Sequence, residues 1–217
     1  MRNLKTFLSG GLLAAVALFS SACSAADTGS SGTFQAGKDY TEVPSPQKPA
    51  DPKRITVEEF FWYGCPHCFS LDPAVEQWRA SKAADVDFAR VPNTLGRPEG
   101  EVHSRAFYIA STLGILDKTH KPLFDAIHVQ HQPMSDLASI RALYVAAAGI
   151  KPADFDGVAS SFVVDSGMRR AEALARTYVI RSVPNVIVGG RYVVASQPNT
   201  FKIVDFLIDK IRKERGN

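Results

Sequence analysis

Two kinds of hydrophobic spacing alternate along this chain, and together they predict an α/β fold. Short runs dense in β-branched and aromatic residues are typical of buried strands. The predicted strands cover 55–63, 86–92 and a hairpin over 183–194. Elsewhere, apolar residues recur at the three- and four-residue spacing of amphipathic helices. The first such helix follows the first strand, and the last one covers 201–212.

The long stretch between the second strand and the hairpin contains helical patterns only. The predicted helices cover 102–114, 120–129, 134–149, 152–161 and 165–177. Gly114 and Gly149 stand where C-terminal caps are expected. Without this block the element order is β-α-β then β-β-α, which predicts a mixed sheet with a helical insertion at about 97–165. The ordered domain is expected to cover 54–217.

The first residues have the pattern of an export leader. Arg2 and Lys5 form a positively charged start, and residues 7–19 form an apolar segment that is short for a membrane span. Export takes the chain to a compartment where disulfides persist. No later segment is long and apolar enough to predict a transmembrane helix.

Two cleavage sites for this leader stay open. Ser24-Ala25-Ala26 fits an ordinary signal-peptidase site, which gives a leader of 1–26. Ser21-Ala22-Cys23 resembles a bacterial lipobox, which gives a leader of 1–22 and makes Cys23 a candidate lipidation site. The lipobox is imperfect because Ser20 stands where leucine is usual.

Composition and charge limit the remaining possibilities. Residues 23–53 are rich in Ser, Gly, Pro and Lys, which predicts a flexible tether with an edge strand within 38–44. The 217 residues are 45% hydrophobic, enough for a real core. The formal charge of +3 falls to +1 when Arg2 and Lys5 leave with the leader. This near-neutral balance gives no electrostatic reason to expect nucleic acid as a partner.

Two of the three cysteines form the motif Cys65-Pro66-His67-Cys68 between a predicted strand and a predicted helix. A helix N-terminus favours thiolate over thiol. In a purely structural role, a disulfide that closes so short a loop would stabilise the fold by only about 2 kcal/mol. A zinc site would need two further ligands, and the sequence contains no second C-x-x-C pair. Two unreactive buried thiols are not expected beside a turn and the start of a helix. The motif therefore predicts thiol–disulfide chemistry without a metal.

The position of each residue in the motif predicts its role. Cys65 lies at the helix edge, where a partner can reach it, and Cys68 lies one turn inside as the resolving thiol. His67, if it is protonated or donates a hydrogen bond, stabilises the Cys65 thiolate, and Pro66 stiffens the turn. A stabilised thiolate weakens the disulfide, so the motif favours donating disulfides over reducing them.

Two positions outside the motif carry candidate chemistry. Pro184 follows Val183 at the start of a predicted strand, where it is either a cis proline or an ordinary strand-start proline. Glu58 and Glu59 interrupt an apolar strand and must point to opposite faces. One of them either faces inward, as a proton acceptor for Cys68 with a raised pKa, or contacts water at a strand edge.

A resemblance to the bacterial DsbA family rests on three features. They are the stretch from Phe60 to Cys68 (FFWYGCPHC), the helical insertion, and Val183-Pro184 before a glycine-containing hairpin. Ser161-Phe162-Val163-Val164 also resembles the family. The resemblance covers Arg54 to the C-terminus. It implies a thioredoxin-like fold with an inserted helical domain, and a periplasmic thiol:disulfide oxidoreductase.

The resemblance also implies roles for matching residues. Cys65 would be the exposed nucleophile. Pro184 would be a cis-proline that lies against the disulfide and helps to hold the substrate backbone, and Val183 would occupy the position that differs between oxidases and isomerases. Glu59, six residues before Cys65, matches the buried acidic residue of the family. The inserted helices would shape a groove for unfolded chains.

The expected reaction donates the Cys65–Cys68 disulfide to reduced exported proteins and requires no metal or bound organic cofactor. The resemblance implies reoxidation by a quinone-linked membrane partner of the DsbB type. We expect a monomer in the periplasm that is anchored to a membrane only if Cys23 carries lipid. Two alternatives stay open, namely a reductase or isomerase of the same fold and a membrane-tethered peptide-binding chaperone.

Overall fold

Five strands form one mixed sheet in the computed structural model, which describes residues 34–216. The strands are β1 (Thr41–Glu42), β2 (Ile55–Phe61), β3 (Val86–Pro92), β4 (Asn185–Val188) and β5 (Tyr192–Ala195). Their order across the sheet is β1-β5-β4-β2-β3. Strands β2 and β3 are parallel, whereas the other neighbouring pairs are antiparallel. Buried apolar side chains on β2 and β4 place these two strands in the core.

The helices fall into a crossover, an inserted block and a closing helix. They are α1 (Pro66–Ser81), α2 (Pro98–Thr112), α3 (Leu116–His128), α4 (Leu137–Ala148), α5 (Pro152–Ala159), α6 (Phe162–Thr177) and α7 (Thr200–Arg215). Helix α1 connects the two parallel strands, and α2 to α6 lie between β3 and β4 in sequence. The predicted element order is therefore observed. Helix α2 begins earlier than predicted, because Pro98 suits the first turn of a helix.

The apolar side chains form three clusters around the sheet. Ile55 and Val57 of β2 pack with α7 in one cluster, and Phe60 packs with Tyr178, just beyond α6, in a second. The third cluster joins Phe61 and the two cysteines to the inserted helices. Alternation along β2 thus directs its side chains to different helical layers. The redox motif lies where the sheet meets the insertion.

The hairpin between β4 and β5 turns at the predicted dipeptide. Gly189 and Gly190 have φ of 61° and 64°. Positive φ at both central residues is the requirement of a type I′ turn, which glycine meets without steric cost. This turn sets β5 beside β4, and β4 in turn pairs with β2.

The structure corrects two predicted boundaries. Tyr40 and Val43 are buried, and Phe34 packs against Phe206 of α7, so the predicted tether of 23–53 is not a tether from Phe34 onward. The edge strand expected there is β1. Strand β2 ends at Phe61, since the chain leaves the sheet before the cysteines.

The N-terminal predictions concern residues before Phe34. Cys23 and both candidate cleavage sites lie outside the described residues. Within 34–216, no helix has the length and apolar character needed to cross a membrane.

Candidate active site

The cysteine motif is positioned by the end of β2 and the start of α1. Cys65 is the N-cap residue of α1 and has extended backbone angles, and Pro66 is the first helical residue. The Cys65 N–H donates to the Trp62 carbonyl at 3.0 Å, and its own carbonyl accepts from the Phe69 N–H at 3.1 Å. The unpaired N–H groups of the first turn therefore lie next to the Cys65 sulfur.

The two thiols have opposite environments. Cys65 is 8% exposed and Cys68 is fully buried, and both are free. Hydrogen bonding from the Cys68 thiol lowers the pKa of Cys65 to about 6, against the effect of burial and with help from the N–H groups of Cys68 and His67. The same hydrogen bond, together with burial, raises the pKa of Cys68 far above its ordinary value. Cys65 is thus the thiolate and Cys68 its proton donor.

His67 contributes to this site from outside the core. Its side chain is exposed at the second position of α1. Its charge lowers the pKa of Cys65, in addition to the effect of its backbone N–H. Pro66 and His67 thus lie where the motif suggested, at the accessible edge of the thiol pair.

The loop before β4 forms the second wall of the site. The Val183–Pro184 peptide bond is cis. The carbonyl oxygen of Val183 lies 3.6 Å from the Cys65 Sγ, where it accepts a hydrogen bond from Cys65 when that residue is a thiol. Antiparallel pairing of Phe60 with Asn185 brings this loop to the carboxyl end of β2. Residues far apart in sequence therefore meet at one sulfur atom.

Glu59 faces inward on β2 and is 2% exposed. Burial raises its pKa to about 7, although the neighbouring Arg90 guanidinium opposes this rise. Arg90 Nε donates to the Glu59 carboxylate at 3.0 Å, and the parallel register of β2 and β3 sets these two residues side by side. Glu58 points the other way and accepts from the Tyr178 hydroxyl at 3.0 Å.

Arg90 connects Glu59 to two further carboxylates. Its terminal nitrogen donates to Asp72 at 2.8 Å and to Glu76 at 2.7 Å, and both of these residues belong to α1. The Arg90 side chain is 8% exposed. One buried cation thus holds three carboxylates below the redox pair.

His120 of α3 extends this network to the chain segment before Cys65. Its Nε2 donates to the Asp72 carboxylate at 3.1 Å, and its Nδ1 accepts from the Tyr63 hydroxyl at 2.8 Å. Burial lowers the pKa of His120, which favours the neutral ring. Sequence reasoning missed His120 and Arg90. The strand register predicts the Arg90 partner once β2 and β3 are paired, whereas no local pattern marks His120.

The inserted helix α3 also packs against the segment that precedes Cys65. His128 donates from Nε2 to the Tyr63 carbonyl at 2.7 Å and stacks on Phe69 with ring centroids 4.9 Å apart. Phe124, one turn earlier, packs against Tyr63. Three successive turns of α3 therefore contact the segment that carries Cys65. Across the described part of the chain, no group of three or more His, Cys, Asp or Glu side chains is placed to hold a metal ion.

A dithiol at a helix N-terminus, next to a cis-proline loop on a mixed sheet, defines a thiol:disulfide oxidoreductase of the thioredoxin fold. Comparison with known protein families matches residues 56–204 to the DSBA-like thioredoxin domain. The chain belongs to this family. The fold and enzyme class predicted from the sequence are confirmed.

Relatives along the whole chain support this assignment. The chain is 33% identical to the thiol:disulfide interchange protein DsbA of Pseudomonas aeruginosa, over 98% of each chain. It is 34% identical to the protein of the same name from Pseudomonas syringae pv. tomato, over 98% of this chain and 97% of the relative. The crystal structure of Pseudomonas aeruginosa DsbA has a TM-score of 0.79 at 32% identity, covering 85% of this chain and 97% of that chain.

Proposed function

We propose that this protein donates the Cys65–Cys68 disulfide to reduced proteins that arrive in the periplasm. The pKa of Cys65 carries the proposal, because it lies near 6. At pH 7 such a thiol is about nine-tenths thiolate, whereas a thiol with an unperturbed pKa is only a few hundredths thiolate. A reduced state stabilised in this way makes the disulfide a good donor.

The proposed reaction has two thiol–disulfide exchanges. A substrate thiolate attacks the Cys65 sulfur, the Cys65–Cys68 bond breaks, and Cys68 leaves and takes up a proton. A second substrate thiolate then attacks the substrate sulfur of the mixed disulfide. Cys65 leaves as a thiolate, the substrate gains a disulfide, and the enzyme is reduced by two electrons. The raised pKa of Cys68 supports its protonation when it leaves.

The surrounding residues support this sequence of steps. The Val183 carbonyl lies beside the Cys65 sulfur, next to the cis-proline Pro184, which supports a role for these two residues in holding an extended substrate backbone. Glu59, with its pKa near 7, is suited to exchange a proton with Cys68. His67 lies at the rim, where its charge favours the Cys65 thiolate.

Sustained turnover needs a partner that accepts two electrons from the reduced pair. We propose a quinone-linked membrane oxidase of the DsbB type for this step, as family membership suggests. The leader pattern supports export of the enzyme to the periplasm. We propose that it acts there as a monomer. Lipidation of Cys23 would attach it to a membrane. An intact mass of the membrane fraction tests this point, since lipid adds mass to a chain that begins at Cys23 and a start at Asp27 excludes it.

A redox titration of the Cys65–Cys68 pair against glutathione tests the proposal. We expect a potential well above the roughly −270 mV of thioredoxin, and alkylation of Cys65 with a midpoint near pH 6. The Cys65→Ser variant should lose oxidation of a reduced model protein. A potential at the thioredoxin value would favour a reductase instead. Restoration of oxidative folding by Cys65→Ser in cells that lack their main oxidase would favour a peptide-binding chaperone.

A further inference from the structure

A cleft of about 780 Å³ lies between the β3–α2 loop and the end of α6. Its walls are residues 92–97, the last turns of α6 and residues 179–181. One contact and one short separation along the chain link it to the catalytic residues. The Arg97 guanidinium lies 5.5 Å from the ring centroid of Trp62, three residues before Cys65. Arg181 lies two residues before Val183, whose carbonyl contacts the Cys65 sulfur.

The charged residues lining this cleft are mostly cationic. Arg97, Arg176 and Arg181 face one carboxylate, Glu172. Arg176 is 3.8 Å from Glu172, at a largely exposed position. Arg97 and Arg181 form no salt bridge with any residue in the described range 34–216. The cleft therefore holds positive charge that the fold does not neutralise, and such charge attracts anionic groups.

The end of α6 places an apolar side chain at the edge of the same cleft. The helix ends with the Ile180 N–H bonded to the Ala175 carbonyl at 2.8 Å, a Schellman closure in which Val179 has φ of 55°. Glycine is usual there, and a β-branched residue in this conformation is strained. Val179 is nevertheless 47% exposed and lines the cleft. Strain of this kind is characteristic of binding sites.

We propose that this cleft binds the substrate chain close to its reactive cysteine and favours segments that carry Asp or Glu. The proposal rests on the proposed function, because it needs a polypeptide substrate held at Cys65. A chain that extends from Cys65 past Val183 reaches Arg181, and the opposite wall presents Arg97. Carboxylates form charge-assisted hydrogen bonds with guanidinium groups, and Val179 contacts the apolar part of the segment.

The expected effect is on the rate of capture more than on the chemical step. Complementary charge speeds association, and this advantage falls as salt screens the charges. We expect a dithiol peptide with acidic residues next to its first cysteine to be oxidised about 3- to 10-fold faster than a matched Asn/Gln peptide at low ionic strength. The ratio should approach one in high salt.

The test measures oxidation of three matched dithiol peptides (acidic, neutral and lysine-containing) by quenched mass spectrometry. It compares the wild-type protein with Arg97→Gln/Arg181→Gln and with Lys118→Gln/Lys213→Gln. The second variant removes the same charge from two exposed lysines outside the cleft. Each variant is compared through its acidic-to-neutral rate ratio. Changes in the Cys65 pKa or in the potential affect both peptides and cancel in that ratio.

We expect the arginine variant to lose the preference for acidic peptides and the lysine variant to retain it. A Val179→Gly variant should slow oxidation of all three peptides while leaving the protein folded. Equal rates for the acidic and neutral peptides with the wild-type protein would overturn the inference, and so would an unchanged ratio in the arginine variant. Neither result affects the proposed function. Failure to oxidise any peptide would overturn the proposed function itself.

Discussion

Removing Arg90 should leave buried carboxylates without a counterion. Its side chain is 8% exposed and bonds to Glu59, Asp72 and Glu76 at 3.0, 2.8 and 2.7 Å. Loss of one partner from a buried ion pair costs about 3–5 kcal/mol, because the other charge stays desolvated. We therefore expect Arg90→Met to lower the free energy of unfolding by about 3–5 kcal/mol at pH 8.

The stability that Arg90→Met loses should depend on pH in a defined direction. The Glu59 pKa is already raised to about 7, and removing Arg90 takes away an effect that lowers it. A carboxyl whose pKa is raised in the folded state binds a proton more tightly there than in the unfolded chain. Folding stability therefore falls as pH rises from the unfolded pKa to the folded one. The deficit of Arg90→Met should be largest at pH 8 and smaller at pH 5, where Glu59 is protonated.

Urea unfolding of the oxidised protein at pH 5 and pH 8 measures this effect. Arg141→Met is the control, because it breaks a solvent-exposed arginine–carboxylate pair with Asp156 and should cost about 1 kcal/mol or less. The double variant Arg90→Met/Glu59→Gln should recover part of the loss, since one anion is removed with the cation. The explanation fails if Arg90→Met costs no more than the control at pH 8, or if its deficit is the same at both pH values.

Two other predictions concern the thiol pair and the packing of glycines. Cys68→Ala removes the hydrogen bond that most lowers the pKa of Cys65, so the midpoint of Cys65 alkylation should move upward from about pH 6; an unchanged midpoint would assign the low pKa to the helix N-terminus. Gly100→Ala should lower the melting temperature by an amount that corresponds to about 1–3 kcal/mol, because its Cβ would lie 2.2 Å from the Thr94 carbonyl oxygen. The added Cβ of Gly157→Ala meets no atom within 4 Å, so this variant should raise the melting temperature slightly, since alanine favours a helix. A lower melting temperature in both variants would contradict the packing argument.

The chain order of the elements could be predicted because each local pattern agrees with its tertiary setting. The β-branched and aromatic run at 55–61 is buried on β2, and the glycine pair of the hairpin has the positive φ that its turn requires. Alternation along β2 also predicts that Glu58 and Glu59 point apart, as they do. These features depend on residues that are neighbours in sequence.

The charge network could not be predicted in the same way, because its members come from four elements. Glu59 meets Arg90 through strand register, Asp72 comes from the crossover helix, and His120 comes from the insertion. Nothing near His120 in the sequence distinguishes it from a surface histidine. The packing of Tyr40 could not be predicted for a similar reason. It lies in a polar, proline-rich segment, and its few apolar residues are buried only because the segment packs at the sheet edge.

The separation of the two walls of the active site has a consequence for how the enzyme is made. Cys65 and the carbonyl that contacts it are 118 residues apart, and they meet only because β4 pairs with β2. A chain is synthesised from its N-terminus, so the thiols are present well before the last strand pair. Until β4 arrives, Cys65 and Cys68 lack the loop that faces them. Full reactivity at this site is therefore a property that the chain acquires late in its synthesis, after the segment that carries Val183 and β4 has been made and has folded.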